Sequence, residues 1–278
     1  MRSVKIMKLV TCYIALLVLM IWGKPVIHAK AEGIEKADQE KTYQIDLDMD
    51  GTDEEVKLKQ FQISKDMEGY YYGILYVNGN KAYTTSKSEY GFVIEMNFIT
   101  CKDQVFINLR QSSDNDIMLY NKLLCLKDDV VIEAVDFRKV EAGMRSCRVA
   151  KVAEGKIIVE CEAQPCQLAS VLWEATYTVQ ENSVNLKSAV HKVKSGSENH
   201  SVDTFVTNKT LTFTNKIGSK NVAFTLKAGQ KVKLLSITTR KSGKIYACFQ
   251  YGKKKGYLRV DPYYNTPYFK NVYEFLAG

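Results

Sequence analysis

The stretch Thr42–Ile63 reads TYQIDLDMDGTDEEVKLKQFQI. TYQI and VKLKQFQI alternate apolar with polar residues, which is the period of a strand with one buried face. The run between them is acidic and contains Gly51, the composition of a reversal. Strand, turn and strand make a hairpin, and the same pattern spreads through the chain. Runs rich in Val, Ile, Tyr, Phe and Thr are separated by short turn signals at Asn78-Gly79 in ILYVNGNKAY and Glu154-Gly155 in AKVAEGKIIVEC. Further reversals stand at Ser242-Gly243 in RKSGKIYACF and Tyr251-Gly252 in FQYGKKKGYL. Prolines number only four, and no long segment keeps helical periodicity with caps. The expected class is all-β, built mainly of antiparallel hairpins.

The first 31 residues carry a basic start, an apolar run from Val10 to Ile21 and small residues at Ala29 and Ala31. This is the pattern of a secretory signal peptide over residues 1–31. The run is short for a spanning helix and is followed by Lys24 and Pro25, and no later segment is apolar enough to cross a bilayer. The expectation is therefore an exported protein without an integral span. Charge divides sharply beyond that point. From Glu32 to Asn208 there are 20 basic and 29 acidic residues, a net of −9, whereas Lys209 to Gly278 holds 14 basic and 2 acidic, a net of +12. The near-neutral sum hides two modules of opposite sign. An acidic β domain over 40–195, a polar linker over 196–208 and a basic domain over 209–278 are expected. Strand pairs recur irregularly in the first domain, as in a propeller-like array of meanders or in a sandwich.

Calcium takes about 6–8 oxygen ligands, and an extended chain with carboxylates at alternate positions turns several towards one point where a glycine lets it bend. Asp46, Asp48 and Asp50 supply the alternation, and Gly51 the bend. In EF-hand spacing the carbonyl of Thr52 and the side chain of Glu54 follow, but the closing glutamate falls on Lys57. A cation there excludes the EF-hand. The unit Ile45, Asp46, Asp48, Asp50, Gly51, Glu54 and Val56 resembles the opening of FG-GAP or VCBS-type repeats of secreted proteins, over about a dozen residues. That resemblance implies a structural calcium on Asp46, Asp48, Asp50, Thr52 and Glu54. Met49 stands where glycine is common in that family. The competing reading is a solvated turn whose aspartates bond to the backbone. The polar cluster Ser112–Asp116 reads as a plain loop.

Five short strands with glycine at each reversal suit a small closed barrel after Lys209. Phe224, Leu226, Gly229, Lys231, Val232 and Leu234, then Ile245, Ala247, Gly252, Lys253, Gly256, Tyr257 and Leu258, resemble the bacterial SH3-like domain. Tyr257 occupies a position where tryptophan is commoner. The resemblance implies binding to cell-wall peptidoglycan or an associated anionic polymer, with Lys231, Lys233, Lys244, Lys253, Lys254, Lys255 and Tyr257 as the contact residues. Nucleic acid would be attracted by the same charge, but no nucleic-acid motif accompanies it and an exported chain rarely meets DNA. Tyr246, Tyr251, Tyr257, Tyr263, Tyr264 and Tyr268 suit either a sugar-stacking face or the seal of the core.

Beyond the leader, Cys101, Cys125, Cys147, Cys161, Cys166 and Cys248 remain. Disulfides are the default in an exported chain, while the apolar runs around five of these residues suit small buried thiols. His191 and His200 fall near the polar connector, where exposure is expected. No nucleophile elbow, zinc motif or phosphate loop occurs. The combined expectation is a secreted, wall-associated, non-enzymatic protein. The alternative is a secreted protein- or glycan-binding, inhibitor-like protein without wall anchoring.

Overall fold

The computed structural model describes residues 31–270 apart from 39–40, 65, 67–68, 86–90, 114–116, 142, 166–167, 169, 195–202, 241 and 261–266. The expected leader up to residue 30, most of the expected linker, Cys166, His200, Lys241, Tyr263 and Tyr264 lie outside the described residues.

The chain is nearly all β, in several antiparallel sheets. The strands run β1 (Gly33–Ala37), β2 (Thr42–Ile45), β3 (Glu54–Gln62), β4 (Tyr71–Val77), β5 (Asn80–Thr84), β6 (Glu95–Thr100) and β7 (Val105–Ser112). They continue with β8 (Met118–Lys127), β9 (Val130–Asp136), the one-turn helix α1 (Phe137–Val140), β10 (Ser146–Ala153), β11 (Lys156–Ala163), β12 (Val171–Gln180) and β13 (Ser183–Leu186). The last group is β14 (Val190–Lys192), β15 (Thr204–Val206), β16 (Leu211–Thr214), β17 (Val222–Leu226), β18 (Lys231–Thr238), β19 (Ile245–Tyr251) and β20 (Lys254–Val260).

Three four-stranded meanders follow one another: β2-β3-β4-β5, then β6-β7-β8-β9 with β1 on its β6 edge, then β10-β11-β12-β13. Alternation drives each one. In β2 and β3, Tyr43, Ile45, Val56 and Leu58 are buried while their neighbours are not. The second sheet is the middle layer. Its β7 begins Val-Phe-Ile-Asn-Leu with all five residues buried, because both faces are covered. Val105, Ile107 and Leu109 enter a core shared with Ile45, Val56 and Leu75 of the first meander. Ile99, Phe106 and Leu123 enter a second core, shared with Trp173 and Tyr177 of the third meander and with Phe213 and Phe249 of the C-terminal strands. Each such side chain contributes roughly 1.5–3 kcal/mol on burial.

The C-terminal strands correct the expectation of a closed barrel. Their order is β14-β18-β19-β20-β16-β17, with β15 also on β18, and the sheet does not close. The cause is competition for an edge. β18 pairs with β19 on one side, and on the other with β14 and β15, which arrive from before Lys209. The edge that a closing strand needs is therefore occupied. Thr204–Val206, within the stretch read as a linker, is one of the occupying strands, and its Phe205 packs against Phe249 and Phe269 at ring distances of 6.1 and 5.0 Å. Gly256 lets β20 lie close against β16 and β17. A Cβ there would stand 2.7 Å from Phe213 and 2.8 Å from Phe224, so only glycine fits.

Candidate functional site

The loop between β2 and β3 folds as its sequence directs. Asp46, Asp48 and Asp50 each offer a carboxylate oxygen, and these oxygens lie within 4.8 Å of one another. The loop is wound by its own aspartates. Asp46 accepts the amides of Asp50 at 3.0 Å and Gly51 at 2.9 Å, while Asp50 accepts that of Thr52 at 2.7 Å. Met49 takes φ 63° and Gly51 φ 94°, so a methionine occupies a left-handed position that favours glycine. Glu54 is not part of the carboxylate group. Its side chain is buried and accepts the Leu47 amide at 2.9 Å. Burial raises its carboxyl above the ordinary range, and Asp48, Asp46 and Asp50 add to the rise while the Leu47 amide opposes it. Three carboxylates at one point can serve a hard cation, and the same three also suffice to wind a turn.

The seven residues assigned to polymer contact do not form one patch. In the register of β18, β19 and β20, Lys233 lies opposite Gln250, and Gln250 opposite Lys255. Tyr257 lies opposite Cys248, which lies opposite Ser236, so Lys233, Lys255 and Tyr257 share the outward face. Lys231 lies two residues from Lys233 on that face, and Lys253 and Lys254 stand exposed at the hairpin tip. Lys244 precedes β19 and stands at its opposite end. Lys233 also reaches back to Asp203 at 3.2 Å. Of the tyrosines, Tyr251 is exposed while Tyr246, Tyr257 and Tyr268 are half-buried.

A third constellation escaped the reading of the sequence. Glu141, just after α1, is completely buried, and so is His191 of β14 at 3% exposure, contrary to the exposure expected near the connector. The imidazole Nε2 stands 2.5 Å from Glu141 Oε1. Thr239 Oγ1 donates to the same oxygen at 3.0 Å, and the Tyr177 hydroxyl donates to Oε2 at 3.0 Å. The Trp173 ring stacks on His191 at 5.8 Å. This set joins α1, β12, β14 and the end of β18, and so ties the third meander to the C-terminal sheet. Sealed from solvent, it serves first as a structural knot. One signal for it was present: His191 sits between Val190 and Lys192, but three residues are too few to show a period.

The five described cysteines are free and buried. Burial pushes the thiols of Cys101 and Cys125 up to about 11. Aromatic pairs also face solvent: Phe61 of β3 stacks on Tyr72 of β4 at 5.4 Å, and Tyr70, just before β4, stacks on Phe92 of the β5–β6 connection at 5.9 Å, with Phe61 and Phe92 exposed. Among the described residues no helix is long and apolar enough to cross a membrane.

Comparison with known protein families, with curated proteins and with solved structures finds no match to this chain.

Proposed function

We propose that the chain is an exported, non-enzymatic protein of the cell envelope, held on an anionic wall polymer or peptidoglycan by its basic C-terminal sheet. The observation that carries this is a concentration of charge. From Lys231 to Val260 there is no Asp or Glu, and Lys231, Lys233, Lys253, Lys254, Lys255 and Arg259 are all exposed. Fields of one sign concentrate an oppositely charged polymer, and added salt screens them over about 8–10 Å. The acidic loop takes a structural calcium on Asp46, Asp48 and Asp50, with the Thr52 carbonyl as a further oxygen and Glu54 behind it. Retention of the full chain on purified walls tests the first part. Retention at low salt, release at high salt and loss in Lys253→Gln/Lys254→Gln/Lys255→Gln support it; no retention at any salt refutes it.

A second reading rests on the exposed aromatic pairs, which suit stacking against sugar rings or a protein partner. On that reading the N-terminal sheets recognise a glycan or protein and the basic sheet contributes no anchoring. Wall retention unaffected by the lysine substitutions but lost in Phe61→Ala/Phe92→Ala favours it.

A further inference from the structure

A cleft of about 770 Å³ opens where the connection between β13 and β14 faces the turn between β18 and β19. Its rim carries three cations, Lys187, Arg240 and Lys244, and no Asp or Glu lines it. Among the described residues none of the three forms an ion pair. Ser242 adds a hydroxyl beside them, and Leu186 and Ile217 supply an apolar part.

Hydrogen bonds tie down described residues on both walls. Ser188 Oγ accepts the Val190 amide at 3.0 Å and pins the first wall. The Gly243 amide donates to the Arg240 carbonyl at 2.9 Å and closes the second. At the base, the Thr239 amide donates to the Ala189 carbonyl at 3.1 Å, while its hydroxyl is held by Glu141. The cleft therefore stands on the buried Glu141 knot. Three cations lining one concavity raise the local anion concentration, and the planar guanidinium of Arg240 matches tetrahedral oxyanions.

We propose that this cleft binds the phosphate group of a phosphorylated polyol or sugar, either as a free molecule or as one unit of a polymer. It is separate from the Lys253–Lys255 tip, because Lys244 and Tyr251 stand at opposite ends of β19. The inference does not depend on wall association.

The test is calorimetric titration of the full chain with glycerol phosphate and with poly(glycerol phosphate) at equal phosphate concentration. Three proteins are compared: wild type, Lys187→Gln/Lys244→Gln in the cleft, and Lys253→Gln/Lys254→Gln/Lys255→Gln at the tip. All substituted lysines are exposed, and matched melting curves confirm that the folds are intact. The expected result is at least a tenfold weaker affinity in the cleft variant and little change in the tip variant. Binding of the monomer assigns a free ligand; binding of the polymer alone assigns the chain. Binding of neither probe, or equal affinity in wild type and the cleft variant, overturns the proposal. Wall retention of the tip variant is scored separately, so failure of either proposal is seen by itself.

Discussion

Replacing His191 with leucine leaves the Glu141 side chain buried with the Tyr177 and Thr239 hydroxyls and the longer contact from the Cys161 thiol as its side-chain partners. Removing one member of a buried pair costs about 3–5 kcal/mol, because the remaining group keeps its desolvation penalty and loses its compensation. For a protein of this order of size, each kcal/mol lowers Tm by about 2–4 °C, so His191→Leu is expected to melt roughly 6–20 °C lower. Glu141→Leu strands the Tyr177 hydroxyl and leaves the imidazole and the Thr239 hydroxyl only their 3.4 Å contact with each other, at about 1–3 kcal/mol for each group left unpaired. The double variant removes the central pair and should lose well under the sum of the singles, with a coupling of about 2 kcal/mol or more. Urea unfolding of the four proteins at one pH gives the cycle. Single-variant losses below about 1 kcal/mol, or additive losses, would refute the claim that this knot joins the two halves.

Glu54→Gln keeps an acceptor for the Leu47 amide and removes a charge whose burial is unfavourable. Because the folded carboxyl lies above its ordinary value of 4.5, Glu54 loses stability as pH rises from 4.5 through the raised value. In chelator the variant is therefore expected to be more stable than wild type at neutral pH, with the gain fading as pH falls to 4.5; a gain constant with pH contradicts this. Calcium should raise the wild-type Tm and leave Asp48→Asn unmoved, and an unchanged wild-type midpoint returns the loop to a plain turn. With their thiols pushed up to about 11, Cys101 and Cys125 hold little thiolate at pH 8. Alkylation of the native chain at these two residues should be slow and become rapid in denaturant, as mass spectrometry reads directly.

Local alternation made the strands legible. Tyr43, Ile45, Val56 and Leu58 declare their inward face, and Lys231 and Lys233 declare the outward one by standing beside Val232 and Leu234. The hairpin turns were legible for the same reason: Asn78 and Gly79 take φ 50° and 77°, and Glu154 and Gly155 take 53° and 66°. Glu54 carried a signal that was overlooked. It shares parity with Val56 and Leu58, which sends its side chain inward rather than into the loop. The open C-terminal sheet was not legible, because which strand takes the β18 edge is settled by segments that arrive from residues 190–206. Glu141 and His191 meet across fifty residues, and neither lies in a stretch with a readable period. Long-range pairing of this kind leaves no mark in local pattern.

Charge on the C-terminal sheet carries the proposed anchoring, and retention on purified walls measures it. The full chain is expected to stay bound at low salt, to elute as salt rises, and to pass unretained when Lys253, Lys254 and Lys255 are glutamine. Retention that is indifferent to both salt and these lysines, or absent even at low salt, contradicts it.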